Sequence, residues 1–143
     1  MYVLHCIVVY GVCYNCSAKN QVILNLTILN HITIYNGVNL KCTADGVPVI
    51  ESKYDRMAET LKIVLADGKN NRITTSYSAD AFAADGYVTF TGDGSMYLNS
   101  PNGAGINMRG NSTTLEFDQT SVRASGDRGI QNSGGYGTLR TNA

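Results

Sequence analysis

The sequence predicts an all-β, repetitive and elongated chain, and three observations carry that prediction. From residue 88 onward, apolar residues two apart recur as Val88/Phe90, Met96/Leu98, Ile106/Met108, Leu115/Phe117 and Val122/Ala124, at steps of 8, 10, 9 and 7 residues. Ile130 and Leu139 continue the beat. Each pair shows two side chains to one face of a strand, so the repeat describes many short strands joined by tight turns. Upstream, nine of the eleven even positions from 22 to 42 are apolar: Val22, Leu24, Leu26, Ile28, Ile32, Ile34, Val38, Leu40 and Cys42. A period of two over that length excludes an amphipathic helix. Finally, Asn36-Gly37, Asp45-Gly46, Asp67-Gly68, Asp85-Gly86, Asp93-Gly94 and Asn102-Gly103 punctuate the chain with the positive φ that tight turns need.

Three zones follow. Residues 1–21 open on Met1-Tyr-Val-Leu-His-Cys-Ile-Val-Val, an apolar run too short to cross a bilayer as a helix. It lacks the Lys or Arg that would precede the apolar stretch of a signal peptide. The expectation is a buried or intersubunit strand, with a processed signal segment as the alternative. Residues 22–86 form the alternating zone. One strand of 21 residues is too long, so Asn30 and Asn36, the two exceptions on the even phase, are expected at corners. They divide the stretch into strands at about 22–29, 31–35 and 38–43. Thr60–Ala66 and Arg72–Ser78 flank Asp67-Gly68 and read as a hairpin. Ser52–Glu59 has helical flavour, with Ser52 as cap. Pro48 and Pro101 are expected in loops. Residues 87–143 are the Gly-rich repetitive zone.

Composition limits the function classes. The 143 residues make one ordinary domain, or one domain with an extension. Lys and Arg number 11, as do Asp and Glu, so nothing recommends a nucleic-acid or membrane-surface partner on electrostatic grounds. Charged residues are 15% of the chain, below the usual quarter, while Gly, at 15 residues, suits turn-rich β structure. Residues 1–42 hold no Asp or Glu, only Lys19 and Lys41 as firm charges, and all four cysteines.

Candidate chemistry is thin. Cys13 and Cys16 form one C-x-x-C, and Cys6 and Cys42 stand apart; free buried thiols, disulfides and a metal site all remain open. Asn15, Asn25 and Asn111 sit in N-x-S/T sequons. His31 falls on the polar phase and is expected to face solvent; His5 lies in the apolar start. No H-E-x-x-H, G-x-S-x-G or P-loop occurs. Gly103 to Gly110 has the wrong spacing for a dinucleotide loop. Glu116 and Asp118 share one strand face, about 7 Å apart by the strand rise, near the carboxyl separation of glycosidases. The stronger reading makes them the solvated side of a strand whose other face carries Leu115 and Phe117. The Asp-Gly pairs read as plain turns, since neither an EF-hand nor a calcium β-roll repeat is present. The nine tyrosines read as strand residues with surface hydroxyls. No catalytic, cofactor-binding or metal-ligating residue is assigned, and no cofactor is expected.

The segment Asn25-Leu-Thr-Ile-Leu-Asn-His-Ile-Thr-Ile-Tyr-Asn-Gly37 resembles a rung of right-handed parallel β-helix proteins, in which inward Asn residues stack at corners. The stretch from Tyr87 to Leu139 resembles the β-helical shafts of bacteriophage tail spikes, fibres and baseplate puncturing devices. Similar short-strand repeats occur in adhesins and in the periplasmic β-jellyroll proteins that bridge lipopolysaccharide to the outer membrane. Tyr54-Asp55 and Val122-Arg-Ala-Ser-Gly126 are similar to segments of the latter.

The resemblance implies a β-solenoid or β-helix, with chains intertwined or stacked in a homotrimer. A strand with two apolar residues in every eight or nine buries little alone, and sharing or stacking rungs gives a continuous core. The expected function is mechanical: a non-enzymatic spike, fibre or attachment shaft on a virion or extracellular surface. Its expected partners are itself, other virion or baseplate proteins and a cell-surface glycan, with no nucleic acid and no membrane span. Two alternatives stand beside it. One is a periplasmic or secreted β-jellyroll that binds lipid or glycan. The other is a polysaccharide-active β-helix enzyme fragment using Glu116 and Asp118.

Overall fold

The alternation of inward apolar and outward polar residues closes into a single-chain parallel β-solenoid. The computed structural model describes residues 5–9, 12–16, 22–25, 31–42, 45–46, 48–53, 60–76 and 78–142, with side chains from Tyr35 onward apart from Cys42 and Lys53. In chain order the strands are β1 (His5–Val9), β2 (Val12–Cys16), β3 (Val22–Asn25), β4 (His31–Tyr35), β5 (Asn39–Cys42), β6 (Ile50–Lys53), β7 (Thr60–Leu65), β8 (Asn70–Thr75), β9 (Phe82–Ala84), β10 (Tyr87–Thr91), β11 (Ser95–Met108), β12 (Ser112–Asp118), β13 (Ser121–Asn132) and β14 (Tyr136–Asn142). Every pairing among them is parallel. That separates the chain from an antiparallel jelly roll. Among the described residues there is no helix, and so none long and apolar enough to cross a membrane.

One sheet stacks β1-β4-β7-β10-β12-β14; the other runs β2-β5-β8-β11-β9-β6-β3, with β13 added on β11. The order shows how a rung is made. Three successive segments, such as β7, β8 and β9, turn once around the axis, and each pairs with the corresponding segment of the next rung. Higher up, β11 supplies the second and third segments together: Ser95–Asn99 lie beside β8, and Ile106–Met108 beside β9. Within β11, Pro101 and Asn102-Gly103 fall at the register shift between Ser100 and Ala104, where the strand rounds a corner. The loop expected at Pro101 is therefore a bend within a paired strand.

The rung length explains the apolar beat. Val88 pairs with Leu115, Met96 with Val122 and Ile106 with Ile130. Three beats complete one rung, so each apolar pair stacks on the pair three beats later. The inward side chains form columns along the axis. Leu61, Val88, Leu115 and Leu139 make one, and Ile63, Phe90 and Phe117 a second. Leu40, Ile73 and Leu98 make a third, and Ile50, Phe82, Ile106 and Ile130 a fourth. The columns are buried through Leu115 and Ile106 and open out at Leu139 and Ile130 (52% and 40% exposed). Burying each such side chain stabilises the fold by roughly 1.5–3 kcal/mol. Phe90 joins the columns, edge-on to Phe82 (centroids 5.6 Å) and stacked on Phe117 (5.5 Å).

Several expectations change. Thr60–Ala66 and Arg72–Ser78 are not a hairpin: β7 and β8 lie in different sheets, each paired with neighbouring rungs. Gly68 (φ 64°) turns a corner there and does not reverse the chain, so the same Asp-Gly chemistry serves a different connection. Ser52 begins no helix; it belongs to β6, and its buried hydroxyl accepts a hydrogen bond from the Asp85 N–H at 3.0 Å. Residues 54–59, the rest of that segment, lie outside the described residues, as do Asn30 and the Tyr54-Asp55 pair.

The even phase also slips. Register places His31, Thr33 and Tyr35 beside Leu61, Ile63 and Leu65, the inward row of β7, and Tyr35 is fully buried. His31 stands in register with Leu61, and its side chain lies outside the described set. The bend at Asn36-Gly37 (Gly37 φ 72°) restores the even phase, with Val38 and Leu40 buried. A corner can absorb an odd number of residues, so parity does not carry across it. The side chains of Cys6, Cys13, Cys16, Cys42, Asn15, Asn25 and His5 fall outside the described set, and with them the thiol question.

Several inward positions are polar, among them Ser52, Asn71, Thr75 and Thr113, and Asn71 reaches furthest along the axis. Asn71 is buried on β8; its Oδ1 accepts from the Val38 N–H at 2.9 Å and its Nδ2 donates to the Ser95 carbonyl at 3.1 Å. It ties three rungs together at the corner where the chain passes from one sheet to the other.

Candidate functional site

Outward positions are the register rows that alternate with the inward columns; two groups of them, and one buried cluster at a corner, carry polar chemistry. On the first sheet, Thr89, Glu116 and Arg140 occupy one row on β10, β12 and β14. Glu116 Oε2 accepts from the Tyr87 hydroxyl at 2.7 Å and from the Thr89 hydroxyl at 3.2 Å; Oε1 accepts from Asn142 Nδ2 at 3.1 Å. The Tyr87 hydrogen bond holds the Glu116 carboxyl below its ordinary range. Thr89, Asn142 and the Arg140 charge act in the same direction, against desolvation. The same bond raises the Tyr87 phenol. A general acid needs the opposite shift; this carboxylate is ionised and held by donors on the strands to either side. Asp118, the other sequence candidate, stands two residues along, half-buried, in register with Thr91 and Asn142. The Tyr87, Thr89, Asn142 and Arg140 neighbours of Glu116 were invisible in the sequence because each lies about one rung away.

The buried cluster lies beside the corner between β9 and β11. Asp80 is 6% exposed. Its Oδ1 accepts from the Ala104 N–H at 3.0 Å, and its Oδ2 accepts from Asn107 Nδ2 at 2.9 Å and from the Arg109 guanidinium at 2.5 Å. Glu51 stands 3.9 Å from the same guanidinium. A buried carboxylate with this many donors is a fastening between rungs.

The second outward group covers the outer face of the second sheet. Asn39, Arg72, Tyr97 and Arg123 share one row across β5, β8, β11 and β13. The Arg72 guanidinium lies over one side of the Tyr97 ring, 4.8 Å from its centroid, and Arg123 stands 5.5 Å from the same centroid. The neighbouring row is Lys41, Thr74, Asn99 and Ser125, and the row on the other side is Asn70, Ser95 and Ser121. Ser125 Oγ bridges to Asn99 Oδ1 at 2.9 Å and to the Tyr97 hydroxyl at 3.1 Å; Ser95 Oγ donates to Asn70 Oδ1 at 2.6 Å. These three rows contain three cations and no carboxylate; Asp67 and Asp93 sit in the turns that lead into them. Among the described residues, neither Arg72 nor Arg123 has an ion-pair partner.

No family model, curated protein or solved structure matches this chain. The functional reading therefore stands on the solenoid and its faces.

Proposed function

We propose that the chain is a structural element, a β-solenoid shaft of a spike, fibre or attachment device on a virion or extracellular surface. The supporting observation is the set of continuous inward columns, built from one chain and running rung over rung through Leu61, Val88 and Leu115. Stacked parallel strands of this kind resist bending, because every rung is hydrogen-bonded along its length to the next. Long regular faces are then free to carry contacts.

In this reading the shaft works as a homotrimer. Since each chain fills its own core, the protomers lie side by side and do not share rungs. Three large apolar residues near the last strands favour a partner there: Ile130, Leu139 and Tyr136, the last 86% exposed. Light scattering, together with electrophoresis in SDS without heating, tests the proposal. A trimer that survives SDS is the expected result; a monomer at all concentrations overturns it.

A further inference from the structure

We infer that the outer face of the second sheet, centred on Arg72, Tyr97 and Arg123, binds a linear glycan that carries carboxylate sugars, laid along the solenoid axis. Charge is the first reason. Arg72, Arg123 and Lys41 are exposed on rows that hold no acid, although the chain as a whole is neutral. Arginines with no ion-pair partner among the described residues are complementary to an anionic ligand.

Preorganisation is the second reason. The Tyr97 ring sits in the rung between the two guanidiniums and supports both by cation–π contact. Its hydroxyl is engaged by Ser125. The forks of Arg72 and Arg123 are thus held side by side before any ligand arrives, which reduces the entropy lost on binding. Planar guanidinium forks suit carboxylates, which they can grip with two parallel hydrogen bonds.

Spacing selects the class of polyanion. Arg72 and Arg123 are two rungs apart, about 10 Å by the interstrand distance. Phosphates along a nucleic-acid strand recur at about 3.4 Å, far more densely than these cations. Nucleic-acid grooves also offer open aromatic platforms for bases, and here both sides of Tyr97 face arginines. A glycan with a carboxylate on alternate sugars spreads its charges widely and fills the intervals with hydroxyls. The rows flanking Tyr97 present Asn70, Thr74, Asn99 and Ser121 to such hydroxyls. The inference adds a partner to the shaft reading but needs only the face. Sizing can therefore fail while glycan binding holds, and the converse.

The test is titration of the full chain with labelled hyaluronan oligosaccharides. Neutral dextran oligosaccharides and single-stranded DNA of similar length serve as comparisons, each at low and at physiological salt. Hyaluronan is expected to bind, more weakly at higher salt, and dextran not to bind. Arg72→Gln/Arg123→Gln is expected to weaken binding by about tenfold or more, as loss of charge-assisted hydrogen bonds implies. Lys62→Gln, exposed on the other sheet, leaves it unchanged. Arg72→Lys/Arg123→Lys keeps the charge and loses the fork, and falls between. Thermal melts establish that the variants are folded; should the double variant fail to fold, the single Arg123→Gln variant carries the test with a smaller loss. Absence of hyaluronan binding overturns the inference, as does equal binding by the folded Gln variants. DNA binding as tight as hyaluronan also overturns it, in favour of a nucleic-acid face.

Discussion

The Tyr87 hydroxyl donates to Glu116 Oε2 at 2.7 Å across adjacent rungs, so two residues 29 positions apart in sequence form one hydrogen-bonded unit on the solenoid surface. The unit titrates in two windows. Glu116 is lowered in the folded state, so its contribution is present above its unfolded pKa and is lost as pH falls through the folded value. Tyr87 is raised, so its contribution is present below the ordinary phenol range and is lost as pH rises through its folded value. Tyr87→Phe removes the shared bond. It should move the Glu116 titration upward, read by NMR of the carboxyl carbon, and change stability by less than about 1 kcal/mol, as surface pairs do.

Asn71 is a polar fastening inside the core. Asn71→Ala strands the Val38 N–H and the Ser95 carbonyl without their side-chain partner. A loss of roughly 2–3 kcal/mol is expected, since each abandoned buried group costs about 1–3 kcal/mol. Denaturant unfolding measures it. Asn71→Leu, apolar and of similar size, should not restore stability, because the unmet groups are backbone.

Phe90 and Phe117 are stacked, but at different depths. Phe90 is fully buried, whereas Phe117 is only partly covered at the open end of its column. Phe90→Ala should cost about 3–5 kcal/mol. Phe117→Ala should cost less than half as much, since part of its surface is already in water. Equal losses in denaturant unfolding would mean that Phe117 is covered in solution, as it would be at a subunit contact.

Asp80 holds Arg109, Asn107 and the Ala104 N–H together. Asp80→Ala leaves all three without that acceptor, and about 3–5 kcal/mol of destabilisation is expected for breaking such a pair from one side. Arg109→Met leaves the buried Asp80 carboxylate without its counter-charge and should cost a comparable amount, although the guanidinium is the more exposed end. Chemical denaturation of the two variants under identical conditions makes the comparison.

Much of the architecture was legible in the sequence. The beat from Val88 to Ala124 gave the strands and their inward residues because a strand alternates its faces whatever it pairs with. Of the Asp/Asn-Gly pairs, Gly37, Gly46, Gly68 and Gly86 turn at positive φ as expected, whereas Gly94 and Gly103 do not and instead sit where a Cβ would meet the backbone of the neighbouring rung. What those turns connected was hidden: a β-turn at Asp67-Gly68 fits both a hairpin and a corner, and only the position of β10 and β4 beside β7 distinguishes them. The burial of Tyr35 escapes the even-phase pattern for a related reason. Alternation fixes faces within a strand, but the corner at Asn36-Gly37 resets the count.

The candidate site was less legible still. Glu116 was singled out by its spacing from Asp118, yet its partners, Tyr87 and Thr89, come from the rung before. Arg72, Tyr97 and Arg123 carry no sequence signal that joins them into a site. Each is an ordinary strand residue in its own segment, and nothing local connects them. The sequence alone determined an all-β chain of repeated short strands, because side-chain alternation and turn chemistry act over a few residues. The tertiary structure alone decided that the repeats stack in parallel, three segments to a rung, and which outward residues become neighbours. Those neighbours are set by rung length, and rung length depends on how many residues each corner takes up.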